Sequence, residues 1–187
     1  MPLTIAPNQS QILTALRYFL INLPLLFDPT QQTAVEVIKG QINRTPEPTS
    51  PDFVTMTFIR IERLETNIDQ LQMTGTVGAN SYMQPSKVTI QLDVHGPNSS
   101  DNAQIISTMF RDQYAFDAFA ASGISDVAPL LADDPRQTPF MNAEDQYEYR
   151  WTIDAWIQAN QTVSSVPQQT ADVVSVTLID VDAMYPP

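Results

Sequence analysis

From Tyr147 to Gln158 the chain changes character at every residue. Tyr147, Tyr149, Trp151, Ile153, Ala155 and Ile157 fall on one side of an extended backbone. Glu148, Arg150, Thr152, Asp154, Trp156 and Gln158 fall on the other. A repeat of two is the signature of a half-buried β-strand, so this chain must build a sheet with one covered face. The second side mixes charges with the Trp156 ring, the make-up of a surface that meets another subunit. Just upstream, Pro129–Pro139 reads as a rigid, proline-punctuated loop set against the strand.

The remaining elements follow the same kind of pattern. Asn8 to Ser10 offers an N-cap for a helix over 8–22, with Ile12, Leu13, Leu16, Phe19 and Leu20 at helical spacing. Pro24 ends it, because a residue before proline is pushed out of the helical region. Residues 34–42 and Phe53–Leu64 read as two strands joined by a proline-bearing loop, the pattern of an antiparallel hairpin. A third strand is expected within 67–80, with Gly75-Thr76-Val77-Gly78 as its turn or bulge. Lys87–His95 alternates clearly and stops at Gly96-Pro97. A helix capped by Ser99, Ser100 or Asp101 is expected to run to about Tyr114, with Phe116 and Phe119 extending it toward Gly123. A last strand is expected near Asp172–Val181. Few helices and many strands adjacent in sequence predict an α+β fold, a largely antiparallel sheet with helices packed on one face.

Length and composition narrow the function classes. At 187 residues one domain is expected, comprising the helix 8–22, a mixed core over 34–182 and a short tail at 183–187. Charged residues make up 16% against about 25% in typical domains; their replacement by uncharged polar groups suits extensive protein contact. Net charge is −12, with seven Arg, two Lys and no basic run. Gripping nucleic acid needs clustered cations to displace counterions from phosphates, so DNA or RNA binding is not expected. An acidic surface can instead repel DNA and let it slide. The absence of cysteine removes disulfides, zinc thiolates and thiol nucleophiles. Residues 1–10 lack a basic n-region, and the apolar run 18–27 is broken by Asn22 and Pro24. Neither a signal peptide nor a membrane span is expected.

Several residues invite a chemical reading. Asp133-Asp134, with Glu144 and Asp145 downstream, could hold a hard cation or supply acid and base to a hydrolase. The same residues form an ordinary turn before Pro135 or an ion pair with Arg136. His95 ends a strand without a recognisable nucleophile motif nearby, which favours a histidine bonded to loop backbone. Tyr147, Tyr149, Trp151 and Trp156 could form a sugar-stacking platform, or could serve core and interface. No cofactor or metal is expected.

Four long blocks, taken in order with VPQQTADVV (Val166–Val174) and the ending VDAMYPP (Val181–Pro187), carry a family resemblance. They are VIKGQINRTPEP (Val37–Pro48), DFVTMTFIRIERLETNID (Asp52–Asp69), KVTIQLDVHGPNSSDNAQIISTMFRD (Lys87–Asp112) and PLLADDPRQTPFMNAEDQYEYRWTIDAWIQAN (Pro129–Asn160). Together they resemble the neck or tail terminator family of tailed bacteriophages, over nearly the whole chain. The resemblance implies a non-enzymatic virion subunit of an α+β fold. It implies a ring, expected to be hexameric, that caps the tail tube and joins it to the head connector. Tail-tube, sheath and connector proteins are the implied partners, DNA passes through the lumen unbound, and assembly takes place in the host cytoplasm. A cyclic ring needs two different complementary surfaces. The stretch Leu130–Phe140 is the expected docking segment. Leu130, Asp133, Asp134, Arg136 and Phe140, with Arg150 and Trp156 on the strand, form the expected interface, Arg136 pairing with a neighbour's carboxylate. A carbohydrate-binding module and a carboxylate-based site are the competing readings.

Overall fold

The computed structural model describes residues 3–30, 32–41, 48–74, 77–141 and 147–168. Two long strands form its spine: β5 (Val77–His95) and β10 (Arg150–Gln168). They pair antiparallel from Arg150↔His95 to Gln168↔Gly78, with one register shift between Val163 and Val166. At about 3.3 Å per residue, each strand is roughly 60 Å long. Shorter strands flank the spine in succession. On the β10 side lie β7 (Arg136–Gln137), β6 (Val127–Ala132) and β1 (Thr4–Ala6). On the β5 side lie β3 (Phe53–Arg63) and β4 (Ile68–Thr74), and β3 carries β2 (Glu36–Lys39) on its outer edge. A separate ribbon pairs β8 (Phe140–Met141) with β9 (Tyr147–Glu148).

Three helices cover one face of the near half of this sheet, the half that holds β2, β3, β6 and β7 with the adjoining stretches of β5 and β10. α1 (Gln9–Asn22) starts at a capping box: Asn8 Oδ1 accepts from Gln11 N at 3.0 Å, and Gln11 Oε1 accepts from Asn8 N at 2.8 Å. Its apolar stripe, Ile12, Leu13, Leu16, Phe19 and Leu20, is buried. α2 (Ser99–Phe110) and α3 (Gln113–Ala121) add Ile106, Phe110 and Phe119. The Phe19 ring meets Phe110 edge-on at 5.5 Å, and Phe110 meets Phe119 at 6.0 Å. Beneath them lie Val54, Met56, Val88, Ile90, Leu92, Val94, Ile153, Ala155, Ile157 and Ala159, aligned across the sheet by register. The mixed fold with a mainly antiparallel sheet and helices on one face is thus observed as expected.

The structure corrects several element readings. β2 and β3 pair parallel, not as a hairpin. Residues 40–52 supply the dozen or so residues that a parallel crossover needs. The expected third strand and the Lys87 strand belong to one antiparallel pair, β4 and β5, in which Thr74 faces Val77. The single helix expected over 99–123 is two. Asp112 breaks it by adopting an extended conformation and accepting from Tyr114 N, so it caps α3. Pro129–Pro139 is not a free loop: β6 and β7 both pair with β10, and Pro129 sits at the sheet's outer edge, where a missing N–H costs no ladder bond. Tyr147 and Tyr149 leave the buried side of the strand. They precede β10 and are 79% and 65% exposed. The strand expected at Asp172–Val181, Gly75-Thr76, Glu144 and Asp145 lie outside the described residues.

Candidate functional surfaces

Two constructions stand out on the near half of the sheet. The first is the corner where β6 leaves the sheet edge and turns into β7. Asp133 closes it: its N–H donates to Asp154 O at 3.0 Å, and its Oδ1 accepts from Asp154 N at 2.6 Å. Its Oδ2 accepts from Arg136 Nη1 at 2.6 Å, while Arg136 Nη2 donates to Asp154 Oδ2 at 3.0 Å. Asp154, acting mainly through that hydrogen bond, raises the Arg136 pKa further and keeps it charged. α2 fastens the same corner from the other side. Ser107 Oγ donates to Asp133 O at 2.8 Å, and Arg111 donates to Ala132 O through Nε at 2.7 Å and also through Nη2. Arg111 also reaches Asp134, at 3.2 Å.

The expected interface residues are therefore partly gathered here. Asp133, Asp134 and Arg136 come together, with Leu130 on the adjoining edge of β6, 43% exposed. Arg136 is engaged by two carboxylates of its own chain. Arg150 and Trp156 flank this corner on the helix-free face of β10, on either side of Thr152 and Asp154, which meet Arg136. The Arg150 guanidinium is 4.0 Å from Asp93, and the Lys87 ammonium stands 5.5 Å from the Trp156 ring centroid. Phe140 lies on β8. The carboxylate reading finds Asp133 occupied as a structural clamp. Among the described residues no group of three or more His, Asp or Glu side chains is placed to hold a metal ion.

The second construction is a cleft of about 860 Å³ on the helix-free face, at the end where β3, β5 and β10 meet. Pro48, Ser50 and Pro51 form one wall; Phe53, Asp93 and His95 form the floor; Pro97, Tyr147, Tyr149 and Arg150 form the other wall. The Phe53 and His95 rings stack at 4.3 Å, tilted by only 6°. Burial holds the His95 imidazole below its ordinary range; Asp93 pulls it up and Arg150 pushes it down. Asp93 accepts from Thr152 Oγ1 at 2.7 Å and from the Gln91 amide at 2.9 Å. The aromatics of the proposed sugar platform do not share one surface. Tyr147 and Tyr149 line the cleft, Trp151 packs against the core, and Trp156 lies farther along β10.

Sequence reading missed the residues that shape the cleft's rim. Asp52 is fully buried; its carboxylate accepts from Asn98 N at 3.2 Å and from Asn98 Nδ2 at 3.1 Å. Gln32 holds Asp52's backbone, accepting from its N–H at 3.1 Å. Gly96 has φ +104°, and a Cβ there would lie 2.4 Å from both Pro51 O and Asp52 Oδ1. The Gly96-Pro97 pair was visible as a strand stop, but its partners stand more than 40 residues upstream and carry no local signal.

Comparison with known protein families bears on these readings. A family model for phage neck terminator proteins matches residues 10–182. The chain belongs to that family. The match leaves out β1 and the first residue of α1, spans the other described elements and takes in both the corner and the cleft. No curated protein matches the chain. This neck terminator is a structural component of a tailed-phage virion, and its work is contact with the other head and tail proteins. No helix among the described residues is long and apolar enough to cross a membrane.

Proposed function

We propose that this neck terminator forms a hexameric ring at the head–tail junction, ends the tail tube there and joins it to the head connector. DNA passes through its lumen without being held. The observation that carries this reading is the family match over residues 10–182. The chain acts as one domain without catalysis and assembles in the host cytoplasm. Its expected neighbours are the tail-tube protein, the connector and, in a contractile tail, the sheath.

The ring contact includes the β6–β7 side of the molecule. Leu130, Asp134 and Phe140 lie on it, Asp133 and Arg136 hold its shape, and Arg150 and Trp156 extend it along β10. Support comes from the exposed apolar edge beside a corner that five hydrogen-bonding side chains keep rigid, since a pre-organised surface loses less entropy on docking. Light scattering on the purified protein, then imaging with purified tail tubes, tests the proposal. Closed rings, free or capping one tube end, are expected. A protein that neither self-associates nor caps tubes is not a terminator ring.

A further inference from the structure

We infer that neighbouring subunits join edge to edge through the far half of the sheet, β4 of one copy pairing with β1 of the next. The inference rests on the ring reading above and names a surface that closes the ring. The far half is four strands wide, in the order β1-β10-β5-β4. One row of residues crosses it: Ile5 faces Val163, Val163 faces Tyr82, and Tyr82 faces Asp69. Every pairing in the row is antiparallel, so β1 and β4 run in opposite directions. A rotation-related copy that sets its β1 beside β4 continues the alternation without a break. Such a contact is heterologous, the kind that generates a ring when its rotation closes.

Both outer edges lack a strand partner among the described residues. Uncovered edges expose N–H and C=O groups, and proteins usually blunt them with lysine or proline. Residues 68–74 contain neither, and residues 3–6 contain neither between the flanking Pro2 and Pro7. They carry large apolar side chains instead: Leu3, Ile5 and Leu71 are 61%, 48% and 58% exposed. Register sets Ile5 and Leu71 on the same face, because Ile5 shares a row with Tyr82 and Leu71 faces Asn80, two residues along β5. Charge favours the same contact. Copies of net charge −12 repel one another, yet these two edges hold a single charge, Asp69. They are where two copies approach at least electrostatic cost. The chain's own downstream segment is the competing occupant. One strand-like stretch, 172–181, follows Gln168; it could cover one edge, whereas a ring neighbour on each side covers both.

Cysteine cross-linking tests this, since the native chain has no cysteine. Within one copy, positions 4 and 70 are three strand spacings apart, about 14 Å, beyond the ~7 Å reach of a disulfide. Thr4→Cys is combined with Asp69→Cys, Gln70→Cys or Leu71→Cys to span possible staggers, and the assembled full-length protein is oxidised. A ladder of covalent multimers ending at the ring number is expected from at least one pair, and nothing beyond dimers from single-cysteine variants. Leu71→Lys is expected to raise the half-assembly concentration about tenfold or more, with the circular dichroism of the wild type. If the wild type forms rings but none of the double-cysteine variants gives a ladder, and Leu71→Lys assembles equally well, the edge contact is overturned and the ring reading stands. An intrachain cross-link between Val176→Cys and position 4 or 71 assigns that edge to the chain's own downstream segment and also overturns it. A wild type that stays monomeric, alone and on tail tubes, removes the ring reading and this contact together.

Discussion

His95 illustrates how one buried side chain can set a pH dependence. Its ring is stacked on Phe53 at the cleft floor, and burial lowers its proton affinity below that of a free imidazole. The unfolded chain takes up that proton near pH 6.5; the folded chain does so only at lower pH. Between the two values the unfolded state binds more protons, so stability rises with pH. It is complete above pH 6.5 and is lost as pH falls from there toward the folded value. Melting temperature is therefore expected to drop between about pH 7.5 and 5.5, and His95→Gln should flatten that slope. Equal slopes in the two proteins would rule His95 out as the source. Arg136 gives the second residue-scale expectation. Arg136→Glu would set a carboxylate against Asp133 and Asp154 and release the β7 turn. At a half-exposed site the loss should be about 1 kcal/mol, read as a lower urea midpoint in the isolated subunit. Arg136→Gln, which keeps a donor, should lose less. An unchanged midpoint for Arg136→Glu would mean the corner does not depend on this pair.

At the scale of elements, the joints between helices and sheet matter more than the helices alone. α2 is clamped to the segment after α1 by Asn102, which is fully buried. Its Oδ1 accepts from Leu26 N at 2.6 Å and its Nδ2 donates to Leu26 O at 2.8 Å. Asn102→Ala removes both bonds and strands two backbone groups, so a loss of about 2–4 kcal/mol is expected in chemical denaturation. Asn8→Ala, which breaks only the α1 capping box, should cost about 1 kcal/mol; if the two variants were equally stable, Asn102 would be a minor contact. This contrast also explains what the sequence could disclose. The α1 cap lies within four residues and the Ile153–Ile157 alternation within five, so both were legible. The Asn102 clamp, the parallel β2–β3 pairing and the Asp52–Asn98 rim join residues far apart in sequence, where no local period records them. β10 runs on past Ala159 because β5 and β1 pair with it there. That stretch, Asn160–Ser165, is mostly polar and reads like a loop. The corner was half legible: Asp133, Asp134 and Arg136 stood out as a charged cluster, but their partners on α2 and β10 did not.

For the whole molecule, charge is the property that every level shares. A net charge of −12 is carried by each copy, and a ring multiplies it around one axis. Two consequences follow from the same electrostatics. In the proposed ring, a lumen that shares this acidic balance would repel duplex DNA, which suits passage without retention. The subunits also repel one another, so association must come from short-range apolar and backbone contacts working against a long-range penalty. Salt reduces that penalty because the Debye length falls from about 30 Å at 0.01 M to about 8 Å at 0.15 M. Raising the salt across that range should therefore shift the purified protein toward the ring, contrary to the weakening expected if opposite charges held it together. Sedimentation velocity at fixed protein concentration reads the shift directly. Assembly that falls with salt would mean that ion pairs between subunits dominate the interface, and would move the main contact from the sparsely charged sheet edges to the charged side of β10.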